Sequence, residues 1–288
     1  MNFTKADIIT TDKYLTAFKN LYYKTDVIYN NNHIEWRGNI HNPPSKNLPV
    51  IISGHSDYPI IDRHVDYFNP LIWYTVNKQT TRENVFALPL GITNHTNESY
   101  LHQIYGDLDC MIQVMNENIE KRTHLNHKNL VHKNLVHKNL NHKNLVYMNF
   151  NISTYPQERQ HVYNLFSNKD WVTTGTTINT LAGRTDYLRE IKAHNFVLCP
   201  RGNGVDTHRL WETLYMGSIP ITKRDIAYKG FEDLPICFIN DWSDINEYFL
   251  EEEKTRIMNN TYNLDKLKIG YWLERIRMDI NKHTSIIY

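Results

Sequence analysis

The stretch His194-Asn195-Phe196-Val197-Leu198-Cys199-Pro200-Arg201-Gly202-Asn203-Gly204-Val205-Asp206-Thr207-His208-Arg209-Leu210-Trp211-Glu212-Thr213-Leu214-Tyr215-Met216-Gly217-Ser218-Ile219-Pro220 decides the fold. Its apolar run over 196–199 reads as a strand buried on both faces. A loop with two glycines follows, then a helix over 206–216 that stops at Gly217, a residue suited to the left-handed position after a helix. Strand, glycine loop and helix start together make an anion site, because unbonded N–H groups and the positive end of the helix dipole point out of the loop. Arg201 can fork onto a phosphate, and Gly202 and Gly204 let the backbone approach one. Glu212 follows Arg209 by three residues and shares a helix face with it, placed to accept hydrogen bonds from ribose hydroxyls. Asp206, however, is a good N-cap and can satisfy the same N–H groups itself. The residues alone leave two readings open: a nucleotide-diphosphate site, or an ordinary capped helix carrying a surface Arg–Glu pair.

The alternation of strand and helix continues on both sides. Strands are expected over 145–150, 171–174, 219–222 and 236–239. Helices are expected over 155–166 (with Ser153 or Thr154 as cap and Pro156 in the first turn), near 184–193, and over 243–258 and 262–282. In the first half, apolar runs over 27–29, 48–53, 71–76 and 85–88 suit parallel strands. Helical segments fit at 12–22, 62–68 and 107–122, the last with Leu108, Met111, Ile112, Met115 and Ile119 at amphipathic spacing. The expected fold is α/β: two Rossmann-type doubly wound halves with a ligand between them, at the carboxyl ends of the strands.

Between the halves the chain reads LNHKNLVHKNLVHKNLNHKNL over 125–145, with His127, His132, His137 and His142 five residues apart and His124 upstream. A metal tract is the tempting interpretation. A five-residue step rotates successive helical side chains by roughly 140° net, and in a strand it alternates faces. No regular element therefore gathers these histidines on one side, and the repeat reads as a solvated linker or helix extension. The resulting division is a first domain over 1–122, the linker over 123–143, a second domain over 144–260 and a terminal helix over 261–288.

Composition narrows the function by exclusion. The chain has 288 residues with 32 Lys+Arg against 31 Asp+Glu, a formal charge of +1. That balance gives no global attraction to nucleic acid or anionic lipid. Cys110, Cys199 and Cys237 are too few and too scattered for a disulfide framework or a CxxC-type zinc site. No apolar run approaches the roughly 20 residues of a membrane span, and MNFTKADIITTDKYL lacks a signal-peptide core. A soluble, cytoplasmic protein is expected, in the host cytoplasm if the source is viral. The 34 asparagines reflect an AT-rich genome and the repeat more than chemistry.

The run FVLCPRGNGVDTHRLWETLYMGSIPI over 196–221 resembles the signature of exostosin-like glycosyltransferases, including the soluble virus-encoded xylosyltransferases of that group. The likeness continues through LPICFI (234–239) and DWSDI (241–245), with weaker echoes in KNLVYMNFN (143–151), ISGHSDYPI (52–60) and PLGI (89–92). The resemblance implies a GT-B architecture and inverting transfer of a sugar, such as xylose from UDP-xylose, to a glycan or glycoprotein hydroxyl. No metal or other cofactor is expected. Carried onto matching positions, Arg201 and the 202–208 turn (Gly202, Asn203, Gly204, Asp206, Thr207 and His208) would hold the pyrophosphate. Arg209 would help neutralise it, and Glu212 would hold the ribose. An inverting transfer needs a base on the acceptor hydroxyl, and His55 and Asp57, just after a buried strand, are the candidates. Exostosins that polymerise heparan-type chains carry a membrane anchor and a second catalytic domain. This sequence shows neither, so polymerisation is not expected.

Other signals have plainer explanations. Asp107-Leu108-Asp109 matches the DxD pattern of metal-dependent GT-A transferases, but it begins an amphipathic helix, where acids suit the dipole. A non-catalytic carbohydrate-binding protein on a transferase fold is the other alternative. The segment Glu251-Glu252-Glu253-Lys254 reads as a solvated junction. Trp272, Leu273, Ile276 and Ile280 have core spacing on the last helix, which in GT-B enzymes crosses back to the first domain. Cys199 ends a buried strand, with packing as its expected role.

Overall fold

The apolar runs become the strands of two parallel sheets in the computed structural model, which describes residues 3–19, 27–31, 50–54, 57–94, 99–119 and 145–284. His55 and the whole 123–143 linker lie outside the described residues. The first sheet contains β1 (Val27–Asn31), β2 (Val50–Gly54), β3 (Ile72–Thr75) and β4 (Val85–Ala87), adjacent in chain order and all parallel. The second contains β5 (Val146–Met148), β6 (Val172–Thr174), β7 (Phe196–Leu198), β8 (Ile219–Lys223) and β9 (Cys237–Ile239) in the order β6-β5-β7-β8-β9. It too is wholly parallel. Its order reverses beside β5, so the loops leaving β5 and β7 diverge and leave a crevice at their carboxyl ends. Among the described strands, the first sheet has no such reversal. The expectation of two doubly wound halves is thus corrected for the first sheet: its strands are parallel but run in one direction across it.

Period-two burial shows how the strands are used. Val50, Ile52, Ile72 and Tyr74 share one apolar cluster with Tyr147, Val197 and Cys199 of the second sheet. The intervening Ile51 and Trp73 face Ile60, Val65 and Phe68 on the other side of the first sheet. Val146, Met148, Phe196 and Leu198 face a third cluster with Ile221, Trp242 and Leu250. The largest core therefore lies between the sheets and belongs to both.

Helices α1 (Thr11–Lys19) and α2 (Asp62–Phe68) fall where the spacing places them. The helix expected over 107–122 is the shorter α4 (Leu108–Asn116), and a further helix that the sequence reading does not anticipate, α3 (Tyr100–Tyr105), precedes it. The two part at Gly106, and Asp107 caps α4 by accepting from Cys110 N at 2.9 Å. Next come α5 (Pro156–Phe166), α6 (Leu181–Ala193) and α7 (His208–Tyr215). Neither Ser153 nor Thr154 caps α5: Asn151 caps a short 3-10 turn, and Tyr155 precedes Pro156 with no side-chain cap. Helix α7 ends as the sequence reads, with Gly217 at φ 71 and Ser218 N donating to Thr213 O at 3.0 Å, a Schellman closure. The expected helix over 243–258 starts later, as α8 (Glu247–Met258), because Asn246 caps it through Phe249 N at 3.0 Å. The last helix, α9 (Ile269–Thr284), puts Trp272, Ile276 and Ile280 into the shared core. Its Asp279 accepts from Tyr74 Oη of β3, and Ile269 N donates to Asp7 O at 2.9 Å. No helix among the described residues is long and apolar enough to cross a membrane.

Candidate functional site

The glycine loop leaves β7 and meets three loops that leave the carboxyl ends of the first sheet. Asn77, after β3, is buried in a left-handed conformation (φ 51) and accepts from Asp206 N at 2.9 Å through Oδ1. A Cβ on Gly204 would stand 2.6 Å from Asn77 Nδ2, so only glycine allows this approach. The Asp206 carboxylate accepts from Leu90 N at 2.8 Å, Trp211 Nε1 at 2.9 Å and Thr207 N at 2.8 Å. Burial pushes its pKa up to about 7 despite these bonds. The His208 ring nitrogen Nδ1 lies 2.7 Å from Gly91 O, after β4. Asn203 Nδ2 donates to Asp57 Oδ2 at 3.4 Å, which brings the exposed candidate base from beyond β2 against the same loop.

Two consequences follow for the sequence expectations. Gly204 and Asp206 are occupied in joining the two sheets. The ordinary capped-helix alternative also fails in detail, because Asp206 turns to Leu90 and Trp211 and Thr207 becomes the N-cap with no side-chain bond of its own. The Thr207 hydroxyl, on a residue only 7% exposed, has no hydrogen-bond partner among the described residues. Helix α7 thus begins without a side-chain cap and with no acidic residue in its first turn.

Around that helix start the charge is positive. The guanidinium of Arg209 lies 5.9 Å from the Phe150 ring centroid and that of Arg159 lies 5.8 Å from it, so one ring between the β5 and β7 loops carries two cations. Arg209 Nε has no hydrogen-bond partner among the described residues. Arg159 donates from Nε to Arg201 O and from Nη1 to Asn151 O, both at 2.8 Å, tying the two loops together. Burial, and then the charge of Arg209, lower its pKa to about 10, still well above neutral pH. Arg201 folds back on its own loop, with Nη2 donating to Asn203 O at 3.0 Å and the guanidinium 4.4 Å from the Tyr155 ring centroid.

Glu212 does not form the surface pair with Arg209. It is 4% exposed, with Oε1 2.8 Å from Arg184 Nη1 and Oε2 accepting from Tyr187 Oη at 2.8 Å. Burial works to raise its pKa, but Arg184 and Tyr187 outweigh that and hold the carboxyl below its ordinary range. Arg184 is in turn enclosed by the rings of Tyr105 and Tyr187, at 5.5 and 5.4 Å. Glu212 thus pairs directly with Arg184, its charge also reaching Arg209, while neither Arg159 nor Arg209 makes a direct ion pair among the described residues.

Sequence reading missed Arg159, Arg184, Tyr187 and Asn77. A signal existed for the arginines. Arg159, Val162 and Phe166 form the buried stripe of α5, and Arg184, Leu188 and Ile191 that of α6. A charge at the position where a stripe demands an apolar residue marks a group held by specific partners.

The remaining candidates lie elsewhere. Asp107 is the cap of α4 and Asp109 pairs with Lys5 at the surface, so the DxD acids do not converge. Among the described residues no group of three or more His, Cys, Asp or Glu side chains could hold a metal ion. Cys199 is fully buried, and burial pushes its thiol up to about 12, which suits packing and not nucleophilic work. A family model described as the RXYLT1 C-terminal domain matches residues 127–287, more than half of the chain. No curated protein matches the chain.

Proposed function

The chain belongs to the RXYLT1 C-terminal domain family, a family of xylosyltransferase-type glycosyltransferases, and from that premise we propose an inverting GT-B-type enzyme. It would move a sugar, xylose foremost, from a UDP-sugar to a hydroxyl of a glycan or glycoprotein. The observation that carries this reading is the pair Arg159 and Arg209, neither in a direct ion pair among the described residues, at the strand-order reversal beside the uncapped start of α7. A diphosphate suits that place, where fixed donors meet charge as it develops.

In the proposed step the acceptor oxygen attacks the anomeric carbon from the face opposite the diphosphate. The bond from that carbon to the phosphate oxygen breaks, its electron pair leaves with UDP, and the configuration inverts. Asp57 takes the proton from the acceptor hydroxyl. Its contact with Asn203 supports the assignment, since it sets a carboxylate of the first half against the loop that would hold the donor. His55, two residues earlier, is the alternative base. Arg201 would leave the Tyr155 face to join Arg209 on the phosphates, and the Thr207 hydroxyl would donate to them. The reading uses no metal, the leaving-group charge falling to guanidinium groups and the helix dipole. Glu212, close to Arg209 and already holding Arg184, has lone pairs left for a ribose hydroxyl.

Calorimetric titration of UDP into wild type and Arg209→Ala tests this directly. Loss of a charge-assisted contact is expected to weaken binding by about 10- to 100-fold, with the variant's melting temperature as the control for folding. Equal affinities would remove the diphosphate from this crevice.

A further inference from the structure

We infer that Arg159 is a diphosphate-binding residue that also fixes the width of the crevice; the inference rests on the sugar-nucleotide reading above. Its place in the sequence marks it only as a charge within the apolar stripe of α5, between Glu158 and Gln160 with no glycine or motif beside it. The role comes from its geometry. A guanidinium is a planar fork whose N–H directions are fixed relative to one another. Two of the three nitrogens are committed, Nε to Arg201 O after β7 and Nη1 to Asn151 O after β5. These are the loops on either side of the reversal, so the two bonds set their separation. They also fix where the third nitrogen points.

That third nitrogen, Nη2, makes no hydrogen bond among the described residues and lies 3.2 Å from where a Cβ on Gly202 would stand. Gly202 does not have a positive φ, so its backbone gives no reason for glycine. Space does: the missing side chain keeps the path from Nη2 to the glycine loop open. Arg159 is 5% exposed, yet no carboxylate bonds it, and the neighbouring Glu158 turns to Arg201 N at 3.3 Å. A buried guanidinium with two carbonyl partners, no carboxylate bonded to it and one aimed donor is costly until an anion arrives. Lysine, a single point charge on a flexible stem, could not brace both carbonyls and still present a donor.

The test is competition against labelled UDP by inorganic pyrophosphate and by uridine, in wild type, Arg159→Lys, Arg159→Met and Gly202→Ala. Both Arg159 variants are expected to weaken pyrophosphate by about tenfold or more and leave uridine within about twofold. A residue that only braced the loops would shift the two competitors alike, and that result overturns the inference. Gly202→Ala keeps Arg159 and its folding contacts but crowds Nη2. It should weaken pyrophosphate selectively as well, which keeps the inference falsifiable if the Arg159 variants do not fold. An unchanged pyrophosphate constant in Gly202→Ala also overturns it. Failure of wild type to bind labelled UDP at all would instead remove the sugar-nucleotide reading itself, a distinguishable outcome.

Discussion

The two sheets present their carboxyl ends to the same glycine loop but contribute different things to it. In the second sheet the strand order reverses between β5 and β7, the diverging loops open a crevice, and Arg159, Arg201 and Arg209 collect there. In the first sheet the described strands run in chain order, and the loops beyond them reach across as braces through Asn77, Leu90 and Gly91. Asp57 reaches the seam as an exposed carboxylate. A parallel sheet therefore does not imply a binding crevice. The reversal does, and the first sheet, without one among its described strands, holds the glycine loop of the second.

That division is broken most sharply by Asp57→Asn. If chemistry enters from the first sheet and binding from the second, turnover should fall by roughly 10²–10⁴ while UDP affinity stays nearly constant. The amide oxygen of the variant can still accept from Asn203, so the loop keeps its contact. A parallel fall in UDP affinity and rate would show that the two sheets do not divide the labour this way.

The next effect lies on the seam itself. Asp206 is held by donors from both sides, and burial raises its pKa from 3.8 to about 7. Between those values the folded chain binds a proton that the unfolded chain has lost. Stability must then fall as pH rises from about 4 to about 7, and level off above. A loss on the order of 4 kcal/mol is expected across that window. Asp206→Asn should be less stable overall, since an amide oxygen turned to Leu90 N and Trp211 Nε1 sets its NH2 against the Thr207 N–H, but should lack this slope. Denaturant melts of both proteins at a series of pH values check it, and identical slopes would free Asp206 from the assignment.

How much of this was legible in the sequence depends on whether the signal is local. Strand positions, the Gly217 stop and the reading of α7 as the helix after an anion loop follow from runs and spacings within some 25 residues. The start of α8 is misplaced because Asn246 caps it through a side chain that competes with amphipathic periodicity. The reasons for the glycines were missed because they are tertiary. Gly204 exists for Asn77, 127 positions earlier, and Gly202 for Arg159 on another helix. The same distance conceals Glu212, whose partners Arg184 and Tyr187 lie on α6. A charge inside an apolar stripe was the one local clue to both buried arginines.

The smallest expected effect comes from outside the seam and sharpens the comparison by contrast. Asp109 has the sequence form of a metal-binding acid, but it lies on α4, with an exposed side chain paired to Lys5. Its DxD companion Asp107 is spent on Cys110 N. Surface pairs of this kind contribute little, so Asp109→Asn should change stability by no more than about 0.5 kcal/mol and leave turnover in place. The same assay run with and without EDTA should give equal rates for both proteins. A rate that collapses in Asp109→Asn and in EDTA together would move the reaction centre to α4 and leave the arginine crevice without its proposed role. An unchanged rate leaves the carboxylate beside Asn203 as the acid to which the chemistry must answer.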